Sequence, residues 1–357
     1  MRSRLGPFAG SAFAIYWSGG LISNVGTWLQ NVVGSVFVYE RTGSALAVGL
    51  LNFATFAPML LFSVFGGMIS DRFDRRLVVV FTHLFSLAAA SALAALAVLG
   101  TLEPVHVVVT AFVLQTSWTL AKPSVSAMLP ALVPRAQLAE AVSLNTLQFM
   151  LAQLGGPLLA TLLLATSGFA LAFSINAASF VAPILAVTYL YARGLGGRAS
   201  AAERRLVAAA GGAVAFIRRE PWIAAVLLGV ICTSAALEVG RTLSPVIAST
   251  RLGVAASEAG ILVSAQSVGQ VVGILTSVPF ARRGFARTLA PIGFVLQLSG
   301  LLALSQATDV AIASVAVAAV GCGFSFAFPV LTGVIQTEVP DGVRGRLLAF
   351  HQMAHLG

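Results

Sequence analysis

Charge is what this sequence has least of. Of its 357 residues only 9% are charged, with 12 carboxylates against 21 lysines and arginines. A chain that is 58% hydrophobic, with mean hydropathy +0.94, has too few charged side chains to wet the surface of a soluble domain. Cysteine is nearly missing. Cys232 and Cys322 each sit inside an apolar run, without metal-ligand spacing or support for a disulfide. His83 reads as a packed side chain. His351 and His355 are four residues apart, but no carboxylate or cysteine stands near them, so no metal site is expected. The chain has no Gly-x-x-x-x-Gly-Lys-Ser/Thr loop, which excludes ATP-driven transport within it. It has no His-rich or Asp-rich constellation of the kind a membrane-embedded enzyme needs, so it is not read as an enzyme. The net charge of +9 falls in short loops between apolar runs, a distribution that argues against nucleic acid as a partner.

What is present is apolar length. Uncharged stretches of about 20 residues read as membrane-spanning helices. They recur along the chain: Phe8 to Tyr39, Ala45 to Ile69, Leu77 to Leu99, Val105 to Met128, Ala141 to Ala165, Gly168 to Tyr191, Trp222 to Ser249, then spans ending near Phe280, Gln306 and Ile335. These ten are followed by the start of an eleventh at Arg346 to Gly357. The first span follows Arg2 and Arg4 as a signal peptide does, but its length and polar residues mark it as a retained helix. With loops assigned alternately, the loop arginines fall on one face except Arg41 and Arg251. That face is cytoplasmic by the positive-inside rule, and so is the N-terminus. The fold class expected is an all-α polytopic membrane protein, with the lipid bilayer as its solvent.

The stretch Gly66 to Arg76 is a charged island between two apolar runs, with five charged residues among eleven. The chain also repeats itself. Val133-Pro134 and Val339-Pro340, Gly67 and Gly273, and Arg76 and Arg282 share one offset of 206 residues, while Ser277 stands where the first half has Asp71. Duplicated halves predict two pseudo-symmetric helix bundles, with a substrate site at their interface and alternating access by rocking. Residues 1–192 form the first bundle and 222–357 the second. Residues 193–221 link them and include a candidate amphipathic helix from Glu203 to Arg219.

Polar residues inside spans are the candidate site. Asn24, Thr27 and Asn31 lie at i, i+3, i+7 with Ser23 and Gln30 beside them, a stripe that either lines a cavity or ties helices together. Asn52 and Gln148 join them as cavity or substrate candidates. Lys122 either attracts an anionic substrate or snorkels to the membrane face. Glu238 and Arg241, at i, i+3, form either a proton-coupling pair or a structural ion pair.

The sequence Gly67-Met68-Ile69-Ser70-Asp71-Arg72-Phe73-Asp74-Arg75-Arg76 resembles the Gly-x-x-x-Asp-Arg-x-x-Arg-Arg loop between helices two and three of the major facilitator superfamily. Asn24-Val25-Gly26-Thr27-Trp28-Leu29-Gln30, Val38-Tyr39-Glu40-Arg41-Thr42-Gly43-Ser44 and Leu129-Pro130-Ala131-Leu132-Val133-Pro134 with Leu144-Asn145 resemble its bacterial efflux branch of transmembrane secretion effectors, which contains enterobactin exporters. The resemblance covers nearly the whole chain. It implies a major facilitator fold of two six-helix bundles, the second lacking its last two helices here. It implies a secondary active, proton-coupled exporter of a siderophore, drug or macrolide-like molecule in the bacterial inner membrane, acting as a monomer. No cofactor is implied, the proton gradient being the energy source. It casts Gly67, Asp71, Arg72, Arg75 and Arg76 as a conformational latch. Gly156-Pro157 partly resembles the Gly-Pro motif of superfamily antiporters and is expected to kink its helix. An uptake carrier of the same fold, or a transport-inactive relative or fragment, are the alternatives.

Overall fold

The computed structural model describes residues 6–196, 220–280, 286–339 and 347. The linker helix expected from Glu203 to Arg219, the basic loop at Arg282 and Arg283, and most of the segment after Pro340 lie outside them. The described residues hold helices and turns and no strand. They fall into two compact units, Met1–Arg204 and Arg205–Gly357.

Unit 1 contains α1 (Ser11–Thr42), α2 (Ala45–Arg72), α3 (Arg75–Val98), α4 (Pro104–Met128), α5 (Leu138–Thr166), α6 (Gly168–Ser179) and α7 (Val181–Ala192). Local chemistry sets the boundaries. Gly43 closes α1 at φ +62°, where a side chain is strained. Ser44 accepts from the Ala47 N–H to start α2, and Asp74 accepts from the Arg76 N–H to start α3. Glu103 and His106 form a reciprocal cap on α4. The stretch Gly168 to Tyr191, read from apolarity as one span, is one membrane-length segment, Gly168–Ala192, whose helix is interrupted by a turn at Phe180. Pro183 has no N–H to offer the Ser179 carbonyl, so the helical ladder lapses there.

Unit 2 contains α8 (Pro221–Thr242), α9 (Ser244–Thr250), α10 (Ala259–Phe280), α11 (Ala286–Gln306) and α12 (Val310–Glu338). Here too one expected span, Trp222 to Ser249, is broken. Pro245 cannot donate to the Arg241 carbonyl, and the Ser244 hydroxyl does so instead at 2.7 Å. Nine helical segments are long and apolar enough to cross a membrane among the described residues. The 32-residue α1 is longer than any of these segments but studded with polar side chains. The outer surface fits that reading, with Phe81, Leu275 and Val315 each more than 65% exposed.

Without a hydrophobic drive between helices in lipid, association depends on close packing and on hydrogen bonds. α2 lies along α4, and α1 along α5, α6 and α7. At the end of unit 1 that carries the charged island, Phe13, Tyr16, Val79, Met128 and Leu190 form a buried cluster. Leu129, Leu132 and Val133 of the connecting loop fill it. In unit 2, α12 is packed between α10 and α11 through glycines on each side.

The charged island's two glycines do different jobs. A Cβ on Gly66 would stand 2.7 Å from the Thr119 carbonyl oxygen and 3.3 Å from the Leu120 Cα. Pro123, four residues after Thr119, leaves that carbonyl without its helical donor, and the bare Gly66 backbone comes up against it. Gly67 faces open space. Gly66→Ala is therefore expected to lower the thermal unfolding midpoint in detergent, at a cost of about 1–3 kcal/mol. Gly67→Ala is expected to leave it unchanged or raise it, since alanine favours a helix by up to ~1 kcal/mol over glycine. Equal effects of the two substitutions would contradict this packing.

Candidate functional site

The charged island is anchored within unit 1. An α-helix leaves its last four carbonyls without partners, and cations are favoured at that end. Two such carbonyls of α4 are met by side chains from other helices. The Tyr16 hydroxyl donates to Val125 O at 3.0 Å, and the buried Arg75 donates through Nη1 to Ala127 O at 3.1 Å. Arg76 turns the other way. It grips the Asp74 carboxylate through Nε and Nη2 at 3.0 and 2.7 Å, reaches Leu195 O at 3.3 Å, and lies over the Tyr191 ring at 4.6 Å. Asp71 is half-buried and Arg72 exposed at the end of α2. The acid that organises the island is thus Asp74, which the latch pattern passes over. Its position just before Arg-Arg and an apolar run is an N-cap signature that reveals it.

The polar stripe of α1 divides among its neighbours. Asn24 donates to Gln148 Oε1 at 3.3 Å, while Gln148 Nε2 bonds the Trp17 carbonyl and Trp17 Nε1 bonds Leu144 O at 2.8 Å. These tie α1 to α5, and Gly20 leaves the space Gln148 occupies. Buried Gln30 pairs with fully buried Asn176 of α6. Thr27 bonds back to Ser23 O at 3.0 Å. Asn31 is exposed, and Asn52 is half-buried on α2. Gly156 and Pro157 lie at the α1 crossing, where a Cβ on Gly156 would stand 2.5 Å from Trp28 Cβ. The helix runs unbroken through them from Leu138 to Thr166. Asn176 and Tyr16 carry as much of this network as the residues predicted. Each lies more than 100 positions from its partner, so no local pattern marks it.

α4 has two faces. Val107, Thr110, Ser117, Thr119, Ala121, Ser124 and Met128 are buried, whereas Gln115, Trp118 and Lys122, at i, i+3, i+7, form a half-buried row of the second face.

In unit 2, Arg241 Nη1 meets Glu238 Oε1 at 2.6 Å, with 15% and 30% of the side chains exposed. The pair sits at the last turn of α8, directly before the Pro245 break. Gln266 of α10 lies beside it, fully buried, and donates to Leu237 O at 2.6 Å. Gln297 of α11 and Thr233 of α8 exchange two hydrogen bonds at 2.7 and 3.0 Å.

Two helical units of membrane-length helices, a charged loop after the second helix and buried polar links define a polytopic membrane protein. The family model for transmembrane secretion effectors matches residues 2–357, and the chain belongs to that family of major facilitator transporters. It is 27% identical over 351 residues to the enterobactin exporter EntS of Shigella boydii, covering 94% of this chain and 80% of that one. Macrolide efflux protein A of Streptococcus pyogenes is 25% identical over 151 residues. That alignment covers 42% of this chain and 37% of the other, so it spans little more than a third of that relative's length. Among solved structures, the nucleoside transporter NupG superposes with a TM-score of 0.75 at 12% identity, covering 97% of this chain and 88% of that one. A bacterial homologue of the iron transporter ferroportin reaches 0.72 at 16%, with 97% and 88% covered. These two show the fold, that of a major facilitator. The family is one of transporters, and the chain shares the multi-pass helical build of these neighbours.

Proposed function

We propose that this chain is a secondary active exporter that moves a small molecule out of the bacterial cytoplasm in exchange for protons, by alternating exposure of its site to the two sides of the inner membrane. The observation that carries the reading is the alignment with an enterobactin exporter over 94% of the chain. In this reading residues 1–192 are the first bundle, 193–221 the linker and 222–357 the second bundle, and the N-terminus is cytoplasmic. Glu238 takes up the coupling proton and Arg241 responds to its loss of charge. Gly67, Asp71, Arg72, Arg75 and Arg76 set the conformational equilibrium. Thr27, Asn31, Asn52 and Lys122 face substrate, while Asn24, Gln30 and Gln148 hold the helices that present them. The energy source is the proton gradient, with no cofactor.

The reading is tested with cells expressing the full chain and loaded with a panel of fluorescent lipophilic anions and cations. At least one dye is expected to leave faster than from vector-only cells, and a protonophore is expected to remove the difference. Faster entry instead of exit would reverse the direction. Identical rates for every dye would defeat the transport reading for this panel.

A further inference from the structure

Lys122 is the single lysine of the chain, the other 20 cations being arginines. Among the described residues, the other cations within helices and away from water are engaged. Arg75 binds the end of α4, Arg76 binds Asp74, and Arg241 binds Glu238. Lys122 has neither a hydrogen-bond partner nor a carboxylate among the described residues. It is half-buried within a membrane-length helix, six residues before its last residue, Met128. A cation so placed is costly unless something negative meets it.

Its neighbours on that face say what the counterpart is. Trp118 lies one turn away at i−4 and Gln115 at i−7, so the three side chains form one row about 10 Å long. Neither Trp118 nor Gln115 is tied to another helix by a side-chain hydrogen bond among the described residues. An indole offers an aromatic face for offset stacking, an ammonium a compact charge for an acid oxygen, and an amide both a donor and an acceptor. The row is held rigidly. Tyr16 and Arg75 grip the carbonyls of Val125 and Ala127 just past Lys122, and Gly66 abuts Thr119 just before it. A site on a locked helix is preorganised for its ligand.

We propose that the Gln115–Trp118–Lys122 face of α4 is the subsite for an aromatic anion, whose acid oxygen meets the Lys122 ammonium and whose ring lies on Trp118. This deepens the transport reading by naming a substrate class, yet it is tested by binding alone. An anionic phospholipid phosphate has the same charge chemistry, so the test separates the two sources.

The full chain is placed in nanodiscs of phosphatidylcholine and titrated with 2-naphthoate and with 2-naphthylmethylamine, which share a ring and differ in charge. Tryptophan quenching is read against Trp118→Phe. Saturable naphthoate binding is expected, at least about tenfold tighter than the amine. Lys122→Gln is expected to weaken naphthoate at least about tenfold, as loss of a charge-assisted hydrogen bond does, and Lys122→Arg to retain most of it. The thermal midpoint of Lys122→Gln is expected to match or exceed the parent's, because an uncompensated ammonium is removed. Equal binding of acid and amine, or naphthoate binding untouched by Lys122→Gln, would overturn the proposal. So would phosphatidylglycerol retention that depends on Lys122 in the absence of naphthoate binding, which would put a lipid phosphate there. Charge-selective binding with no flux in the dye assay would keep this inference and defeat only the transport reading.

Discussion

Gly321→Leu is expected to prevent unit 2 from folding. Gly321 faces α10 so closely that a Cβ would overlap the Gln266 carbonyl oxygen and come within 3.1 Å of Gln270 N. Both are backbone atoms that a rotamer change cannot move. Gly269, on the facing side of α10, meets the Ala318 carbonyl just as tightly, and Gly293 and Gly300 of α11 press on α12 from the other side. α12 is therefore wedged between two helices at backbone contact, and a leucine pushes one of them away. Overpacking costs about 1–3 kcal/mol where neighbours can yield. Here separation also strains the buried bond from Ser325 Oγ to Gln270 O at 2.9 Å, so a larger loss is expected. The check is yield and elution of the detergent-solubilised chain. Gly321→Leu is expected to aggregate, and Gly333→Ala, on the same helix but facing open space, to behave as the parent. Normal elution and melting of Gly321→Leu would show that α10 and α12 are not in backbone contact.

Glu238→Gln is expected to uncouple transport from the proton gradient. Glu238 is a carboxylate within a membrane-length helix, paired at 2.6 Å and 30% exposed, and is the proton acceptor in the proposed exchange. Protonation removes the charge that holds Arg241, whose carbonyl is already released from the helical ladder by Pro245 and held by the Ser244 hydroxyl. Local charge at this turn is thus tied to the one break between α8 and α9. Coupling free energies of this kind correspond to about 5- to 150-fold in equilibrium terms. Gradient-driven accumulation is accordingly expected to fall at least about tenfold in Glu238→Gln, while substrate exchange at equal pH persists. Glu238→Asp is expected to retain part of the coupling. Parallel loss of accumulation and exchange would mark the pair as structural instead.

Much of this was legible along the chain. Apolar length alone located the membrane helices, because lipid leaves a helix little choice of sequence. The helix starts at Ser44, Asp74 and Asp309 carry cap chemistry that needs no tertiary information. The i, i+3 spacing of Glu238 and Arg241 sufficed to place them on one face. Other features needed the third dimension. Gly66 and Gly67 are equivalent in sequence, and only the 100° between successive helical residues decides which one meets α4. Gln30 resembles a cavity residue until Asn176, 146 positions away, is seen beside it. The breaks at Phe180 and Leu243 were masked by hydropathy, which scores proline-containing apolar runs as continuous, although Pro183 and Pro245 marked both.

The central claim is that this chain moves a small molecule uphill at the expense of a proton gradient. The most direct measurement reconstitutes the full chain in proteoliposomes and follows the dye that leaves cells fastest under an imposed pH gradient. Accumulation against the dye's own gradient is predicted, with collapse on adding a protonophore and no accumulation in Glu238→Gln. Dye movement that only equilibrates, with or without the pH gradient, would contradict proton-coupled export and leave a passive carrier on the same fold.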